Sequence, residues 1–140
     1  TGGRVLIEQI SHWVAENQHR AKAFVSLGQQ RYLSLMREAD VVVGNSSSGL
    51  TETPSLKKAT VNLGDRQKGR LKATSVIDTP EKTPDIVAAI RTALSPDFQA
   101  MLPSTQSWYG SGNVSHRIKE QLKDVTIHTQ KRFFDIEHGF

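Results

Sequence analysis

Residues 41–49 read VVVGNSSSG, a run of three valines followed by small polar residues. Valine is β-branched and favours strands, and Gly44-Asn45 is a typical end of a strand. A strand that is apolar throughout is typical of a parallel sheet covered on both faces. The sequence therefore predicts a buried strand at Val41–Val43, then a turn leading into a helix over Ser46–Ser55.

Strand and helix patterns alternate on both sides of this stretch. Apolar residues at three- and four-residue spacing predict helices, and short apolar runs between turns predict strands. The predicted helices cover residues 4–17, 29–39, 83–94, 96–101 and 114–124, and the other predicted strands cover residues 23–25, 60–63 and 75–77. This alternation predicts an α/β fold, a Rossmann-like parallel sheet with helices on both faces.

The length of 140 residues suits one domain. We assign residues 1–125 to a Rossmann-like domain and treat residues 126–140 as a tail. Three of the five phenylalanines, Phe133, Phe134 and Phe140, lie in this tail. Exposed apolar clusters commonly mark interfaces. We therefore expect the tail to contact another domain.

Composition argues against several classes of protein. The net charge is +4, but the cationic residues are scattered and do not form a basic stripe with interleaved aromatics, so nucleic-acid binding is not expected. No apolar run approaches the roughly 20 residues of a membrane span. The chain has no cysteine, which fits a reducing compartment, and we expect the cytoplasm. No pair of the five histidines has metal-ligand spacing, so no metal or other cofactor is expected.

The turn after the valine strand has the composition of an anion site. Ligands of open α/β sheets bind beyond the carboxyl ends of the strands, where backbone N–H groups at a helix start favour phosphate. Ser46, Ser47 and Ser48 add hydroxyl donors, and Gly49 permits close approach. The alternative is that the serines only cap the helix. Three consecutive serines exceed what capping requires, which favours a diphosphate.

Two further features are ambiguous when taken alone. Glu52 either interacts with the start of the helix or accepts hydrogen bonds from a ribose diol. The loop Gly64–Arg70 carries Arg66, Lys68 and Arg70, which either neutralise a diphosphate or form a solvated surface.

The combined pattern is more specific than its parts. Residues 45–49 (NSSSG), Glu52 with Pro54-Ser55, residues 60–67 (TVNLGDRQ) and Gly69-Arg70 closely resemble the UDP-N-acetylglucosamine 2-epimerase family. The resemblance extends from Thr1 to the turn at Gly110–Asn113. The Arg66-Gln67…Gly69-Arg70 form is more similar to the hydrolysing branch, which releases N-acetylmannosamine and UDP, than to the branch that makes UDP-N-acetylmannosamine. The resemblance thus implies a role in making a sialic acid precursor or in polysaccharide biosynthesis.

This resemblance implies two Rossmann-like domains that face each other across a cleft, as in glycosyltransferases of the GT-B fold. The chain corresponds to the second of them, so residues 1–125 would be its nucleotide-binding domain and the tail, residues 126–140, would contact the first domain. The loop at Leu27, with Tyr32 nearby, would hold the uracil, and Glu52 the ribose. Arg66, and secondarily Arg70, would contact the phosphates or the sugar. The residues implied for the diphosphate are Asn45, Ser46, Ser47, Ser48 and Gly49.

In the chemistry that the resemblance implies, a base removes a proton at C2 of the sugar while UDP leaves from C1. Water, or UDP again, then adds to the glycal intermediate. The family's proton-transferring carboxylates lie in the first domain and its histidine precedes Thr1. No catalytic residue is therefore predicted in this chain, which is expected to be inactive alone. UDP, UDP-N-acetylglucosamine and the first domain are the expected partners, and homo-oligomer formation is left open.

Two other functions are compatible with the same residues. One is the nucleotide-binding half of a two-domain glycosyltransferase, which also holds a nucleotide diphosphate beside a glycine-rich turn and a glutamate. The other is a non-catalytic module that binds a UDP-sugar.

Three sites depart from the family pattern. Lys57-Lys58-Ala59 replaces a Gly-x-Pro turn, Thr53 an alanine and Trp108 a proline.

Overall fold

The computed structural model describes residues 3–110 and 112–126. The chain forms two compact units, Thr1–Trp108 and Tyr109–Phe140. From residue 127 onward, the predicted tail lies outside the described residues. No helix in the described part of the chain is long and apolar enough to cross a membrane.

The first unit contains a parallel sheet of three strands in the order β1-β2-β3. β1 spans Val41–Gly44, β2 spans Ala59–Leu63 and β3 spans Val76–Thr79. In register, Val61 pairs with Val43 on one side and with Ile77 on the other. The predicted α/β fold with a parallel sheet is confirmed. β2 is the central strand, which explains why nearly all of it is buried.

Alternate residues of β2 face opposite layers, as the two-residue period of a strand requires. One face packs against α4, Thr83–Ala93, and the other lies under the segment 48–56. On this second face, Thr60 Oγ1 donates a hydrogen bond to the Gly49 carbonyl at 2.8 Å. The buried residues of the first face are Ala59, Val61, Ala89, Ala93 and Leu102.

The helices after the sheet begin where the sequence predicts. α4 carries Pro84 and Asp85 in its first turn and Arg91 in its last, which suits the helix dipole. α5, Pro96–Met101, is capped by Ser95, whose Oγ accepts from the Phe98 N–H at 3.3 Å. A 3-10 turn at Leu102–Ser104 follows.

Two helices precede the sheet. α1 spans Gly3–Glu16 and α2 spans Gly28–Glu38, close to their predicted bounds. Met36 is buried on α2, whereas α1 buries none of its residues. The helix α1 is therefore amphipathic, but its apolar side is exposed. The large apolar residues concerned are Val5, Leu6, Ile7, Ile10 and Trp13.

The strand predicted at Ala23–Val25 is wrong. The segment is not in the sheet, and Phe24 and Val25 are exposed. A strand forms only beside a neighbour that completes its hydrogen bonds. In the described part of the chain the sheet ends at β1 and β3, and neither pairs with this segment.

The helix predicted within Ser46–Ser55 is present only in part. α3 is a single turn, Ser48–Thr51, and a 3-10 turn at Thr53–Leu56 follows it. Pro54 lacks an N–H and disfavours an α conformation at the residue before it. The α-helix therefore stops after one turn.

The second unit contains α6, Val114–Asp124, as predicted. Asn113 precedes it with a positive φ of 56°. All described residues of α6 are exposed. No predicted site residue lies in this unit.

Candidate functional site

Two loops meet at one edge of the sheet. β1 ends at Gly44 and β2 ends at Leu63, and parallel neighbours deliver their following loops to the same edge. Gln67 Nε2 donates to the Asn45 carbonyl at 2.7 Å, and Arg66 Nη1 donates to Asn45 Oδ1 at 3.4 Å. The predicted phosphate turn and the predicted basic loop are therefore in contact.

The serine turn is closed by its own backbone. The N–H groups of Gly49 and Leu50 donate to the carbonyls of Ser46 and Ser47 at 3.2 and 2.9 Å. Ser47 is the N-cap of α3 but makes no side-chain capping bond, so capping does not account for it. Within the described residues, the N–H groups of Ser46 and Ser47 have no acceptor. These two amides and the Ser47 hydroxyl can therefore donate to an anion.

The shortness of α3 changes the expected electrostatics. One helical turn aligns few peptide dipoles, so its macrodipole is small. An anion at this turn would depend on individual N–H and O–H donors and on the guanidinium of Arg66. Anion binding would therefore depend more on the contact between the two loops than on the dipole of α3.

Gly49 is buried where the serine turn packs on β2. Its N–H and carbonyl are both used within the protein, by Ser46 and Thr60. A Cβ added to Gly49 would lie 2.7 Å from Thr60 Cγ2. Glycine is therefore required here for close packing of the turn on β2.

Tyr32 connects α2 to the serine turn. Its hydroxyl donates to Ser48 Oγ at 3.0 Å. Tyr32 and Leu27 also line a hollow of about 510 Å³, formed with residues 24–26, 28 and 29. A hollow with apolar and aromatic walls suits a planar base. The structure thus places the predicted base loop beside the predicted phosphate turn.

Two predicted site residues reach this cluster only through their backbones: the Glu52 N–H donates to the Ser48 carbonyl at 3.0 Å, and neither side chain has a recorded hydrogen bond to the serine turn or to Arg66. Glu52 is exposed, and its carboxylate accepts a hydrogen bond from the Thr51 hydroxyl. Arg70 is exposed, and its backbone N–H donates to the Gln67 carbonyl at 3.3 Å.

A cavity of about 700 Å³ beside the basic loop is also lined by Lys72 and Asp78, which were not predicted as site residues. Lys72 Nζ lies 2.7 Å from Asp78 Oδ2, and Asn62 Nδ2 donates to Asp78 Oδ1 at 2.7 Å. Partial burial raises the pKa of Asp78, but the hydrogen bonds from Lys72 and Asn62 and the charge of Lys72 outweigh it, so this pKa lies below its ordinary value. Asn62 and Asp78 are opposite each other across β2 and β3, a relation that only the strand register reveals.

The described residues include no group of three or more His, Cys, Asp or Glu that could hold a metal ion. His12 lies 3.5 Å from Glu16 on the exposed surface of α1.

Comparison with known proteins agrees with these features. A family model described as UDP-N-acetylglucosamine 2-epimerase matches residues 1–123. A GDP/UDP-N,N'-diacetylbacillosamine 2-epimerase (hydrolyzing) of Campylobacter jejuni is 39% identical over 137 residues, covering 96% of this chain and 35% of the relative. Polysialic acid biosynthesis protein P7 of Escherichia coli is 33% identical, covering 96% and 34%. A UDP-N-acetylglucosamine 2-epimerase of Neisseria meningitidis is 31% identical, covering 81% and 31%.

The chain spans about a third of the length of these relatives. The family match includes every predicted site residue and ends at Lys123, near the end of α6. The chain therefore belongs to the UDP-N-acetylglucosamine 2-epimerase family.

Proposed function

We propose that this chain is the UDP-binding part of a UDP-N-acetylglucosamine 2-epimerase and holds the diphosphate between the serine turn and Arg66. The observation that supports this most strongly is the contact between the two loops through Asn45. It brings a guanidinium to a turn that has free N–H and O–H donors. Charge-assisted and neutral donors converging on one point are the chemistry that a diphosphate requires.

The nucleoside would extend from this point toward α2. Tyr32 contributes its hydroxyl to Ser48 and lines the hollow at Leu27, so a base in the hollow and phosphates at the turn fit one ligand. We assign the ribose to Glu52, whose carboxylate is exposed and able to accept hydrogen bonds from a diol. Arg70 is assigned a secondary contact with the phosphates or the sugar.

The contribution of this part to the reaction would be stabilisation of the leaving group. Negative charge grows on the diphosphate as the bond from C1 of the sugar to UDP breaks. Preorganised N–H, O–H and guanidinium donors aimed at that charge lower the barrier. Proton transfer at C2 is assigned to residues outside this chain, and the chain alone would be inactive.

The rest of the protein would provide the first domain of a GT-B arrangement. The exposed apolar side of α1, with Ile7 and Trp13, is a surface that further chain would cover. We extend the same proposal to the tail after residue 125, which would contact the first domain. Cytoplasmic location is part of this proposal.

A hydrolysing reaction is favoured over the non-hydrolysing one. Residues 66–70 read RQKGR, the form typical of the hydrolysing branch. The Campylobacter relative, named as hydrolyzing, is 39% identical. The glycosyltransferase and UDP-sugar-sensing alternatives would leave this family match without an explanation.

Calorimetric titration of the 140-residue chain with UDP, UMP, uridine and GDP tests the proposal. UDP should bind more tightly than UMP, and UMP more tightly than uridine, because each phosphate adds charge-assisted contacts. GDP measures the selectivity of the base hollow. Equal affinities for UDP and uridine, or no heat of binding with UDP, would contradict the proposed diphosphate site.

A further inference from the structure

Gln67 is at the junction of the two loops and is almost fully buried, with 3% of its surface exposed. Its Nε2 donates to the backbone carbonyl of Asn45 at 2.7 Å, the shortest of the recorded links between the two loops. Asn45 is the first residue after β1 and immediately precedes the serines. The link therefore fixes the backbone at the point where the serine turn begins.

The other half of the same amide is unusual. Gln67 Oε1 is buried and has no hydrogen-bond donor among the described residues. A buried acceptor without a donor lowers the free energy of unfolding, so the unpaired Oε1 of Gln67 makes this residue less stabilising than a fully hydrogen-bonded or apolar one would be. We therefore look for a role of the bond from Nε2 to Asn45 other than stabilising the loop.

The neighbouring residue gives that reason. Arg66 is adjacent to Gln67 in sequence, is exposed, and reaches Asn45 through the longer bond of 3.4 Å. A flexible, exposed arginine is held weakly by such a contact. The buried amide of Gln67 holds the same loop at shorter range, so it would set the distance between the guanidinium and the serine donors.

We infer that Gln67 is a positioning residue: its bond to the Asn45 carbonyl holds Arg66 and the serine turn at the separation that a diphosphate requires. The inference rests on the proposed function, because the diphosphate is the ligand whose binding depends on that separation. Gln67 touches neither ligand nor reacting atoms in this role. It acts through Arg66 and the turn.

The chain offers a matched control for Gln67. Gln99 also uses its Nε2 to donate to a backbone carbonyl, that of Ala93, at 2.6 Å. Gln99 is on α5, and Ala93 ends α4, on the opposite side of the sheet from the serine turn. Gln67→Met and Gln99→Met therefore remove the same kind of bond, one at the proposed site and one away from it.

Amide hydrogen exchange and calorimetry of the full 140-residue chain test the inference together. In Gln67→Met, exchange at Gly49 and Leu50 should become about five- to tenfold faster, the equilibrium effect of losing one hydrogen bond. UDP affinity should fall by about the same factor, with uridine affinity unchanged. Gln99→Met should change neither the exchange of these two amides nor UDP binding.

Two further variants complete the test. In an Arg66→Ala background, Gln67→Met should weaken UDP binding less than it does alone, because part of its effect passes through the guanidinium. Gln67→His, which retains an N–H donor, should restore part of the UDP affinity. If Gln67→Met does not fold, Gln67→Leu removes the same donor with a smaller apolar side chain, and exchange at Gly49 is the readout.

The inference is overturned if Gln67→Met has the same exchange rate at Gly49 and the same UDP affinity as the unaltered chain. If Arg66→Ala still lowers UDP affinity in that case, the proposed function stands. The inference is also overturned if Gln67→Met and Gln99→Met weaken UDP and uridine equally, since that is a loss of general stability. If the unaltered chain does not bind UDP, the proposed function fails. The exchange at Gly49 then still decides whether Gln67 holds the turn.

Discussion

In the proposed site, Arg66 is the residue whose charge would distinguish a diphosphate from a nucleoside. Arg66→Ala removes a charge-assisted contact worth about 1.5–3 kcal/mol, or about one to two decades of affinity. UDP should lose that affinity while uridine loses little, because only UDP has phosphates. Calorimetric titration of both ligands measures the difference.

Arg91→Ala is the matched control for net charge, because Arg91 is exposed on α4, on the other side of the sheet. Unchanged UDP affinity in Arg66→Ala together with a loss in Arg91→Ala would place the phosphates elsewhere. Arg70→Ala should give a smaller loss than Arg66→Ala, because the guanidinium of Arg70 has no recorded hydrogen bond or ion pair within the described residues.

Asp78 should make stability depend on acidity. Its pKa is lowered in the folded state, so its contribution is complete above the unfolded pKa of about 4 and is lost as the pH falls through the folded value. Asp78→Asn should therefore reduce the free energy of unfolding at pH 7 by up to about 1 kcal/mol, a modest value because half of the carboxylate is exposed. The difference from the unaltered chain should shrink below about pH 4.

Denaturant unfolding at pH 7 and pH 3 measures this difference. Asp40→Asn is the control, because Asp40 is exposed and has no ion pair in the described part of the chain. A difference for Asp78→Asn that is as large at pH 3 as at pH 7 would show that the carboxylate charge is not involved.

At the scale of elements, Lys57 stands at the position of the glycine in the family's Gly-x-Pro turn. Lys57 ends the 3-10 turn at Thr53–Leu56 with a positive φ of 58°, and its Nζ donates to the Thr105 carbonyl. The turn therefore keeps the left-handed backbone that glycine adopts most easily. Trp108, at another departure, donates its indole N–H to the Lys72 carbonyl at 3.1 Å.

Lys57→Gly and Lys57→Ala both remove the bond to Thr105, but only glycine relieves the left-handed strain. Lys57→Gly should therefore be more stable than Lys57→Ala by about 1 kcal/mol. Thermal unfolding of the two variants gives the comparison. Equal stabilities, or a more stable alanine variant, would show that this turn is not strained.

The elements were predictable from sequence where local pattern decides them. The three valines predicted β1 and the regular apolar spacing predicted α4, because a continuous apolar run and a helical period are local signals. The predicted strand at Ala23–Val25 failed because a strand depends on its neighbour. The helix after Ser46 was overestimated because Pro54 ends it after one turn.

The contacts within the candidate site were predictable to a smaller extent. Family resemblance and turn chemistry indicated Ser46, Ser47 and Arg66, and the parallel order of β1 and β2 brings their loops together. Gln67 and the Asn62–Asp78 pair were missed. Their partners lie 22 and 16 residues away along the chain, and register and burial, rather than local pattern, create those contacts.

At the scale of the whole molecule, binding and proton transfer are assigned to different parts of the protein. The purified 140-residue chain should bind UDP but release no N-acetylmannosamine from UDP-N-acetylglucosamine, because no acid–base residue is assigned to it. Product analysis after prolonged incubation measures this. Release that exceeds the rate without protein would contradict the assignment.

The position of UDP on the chain is the most direct test of the central claim. Backbone amide spectra of the ¹⁵N-labelled chain, recorded during titration with UDP, locate the ligand residue by residue. We predict that the largest shifts occur at Ser46–Gly49 and Gly64–Arg66, with smaller shifts near Tyr32. Uridine should move the signals near Tyr32 and leave those of the serine turn in place. Saturable shifts confined to α4, α5 or α6 would contradict the claim that the serine turn and Arg66 bind the diphosphate.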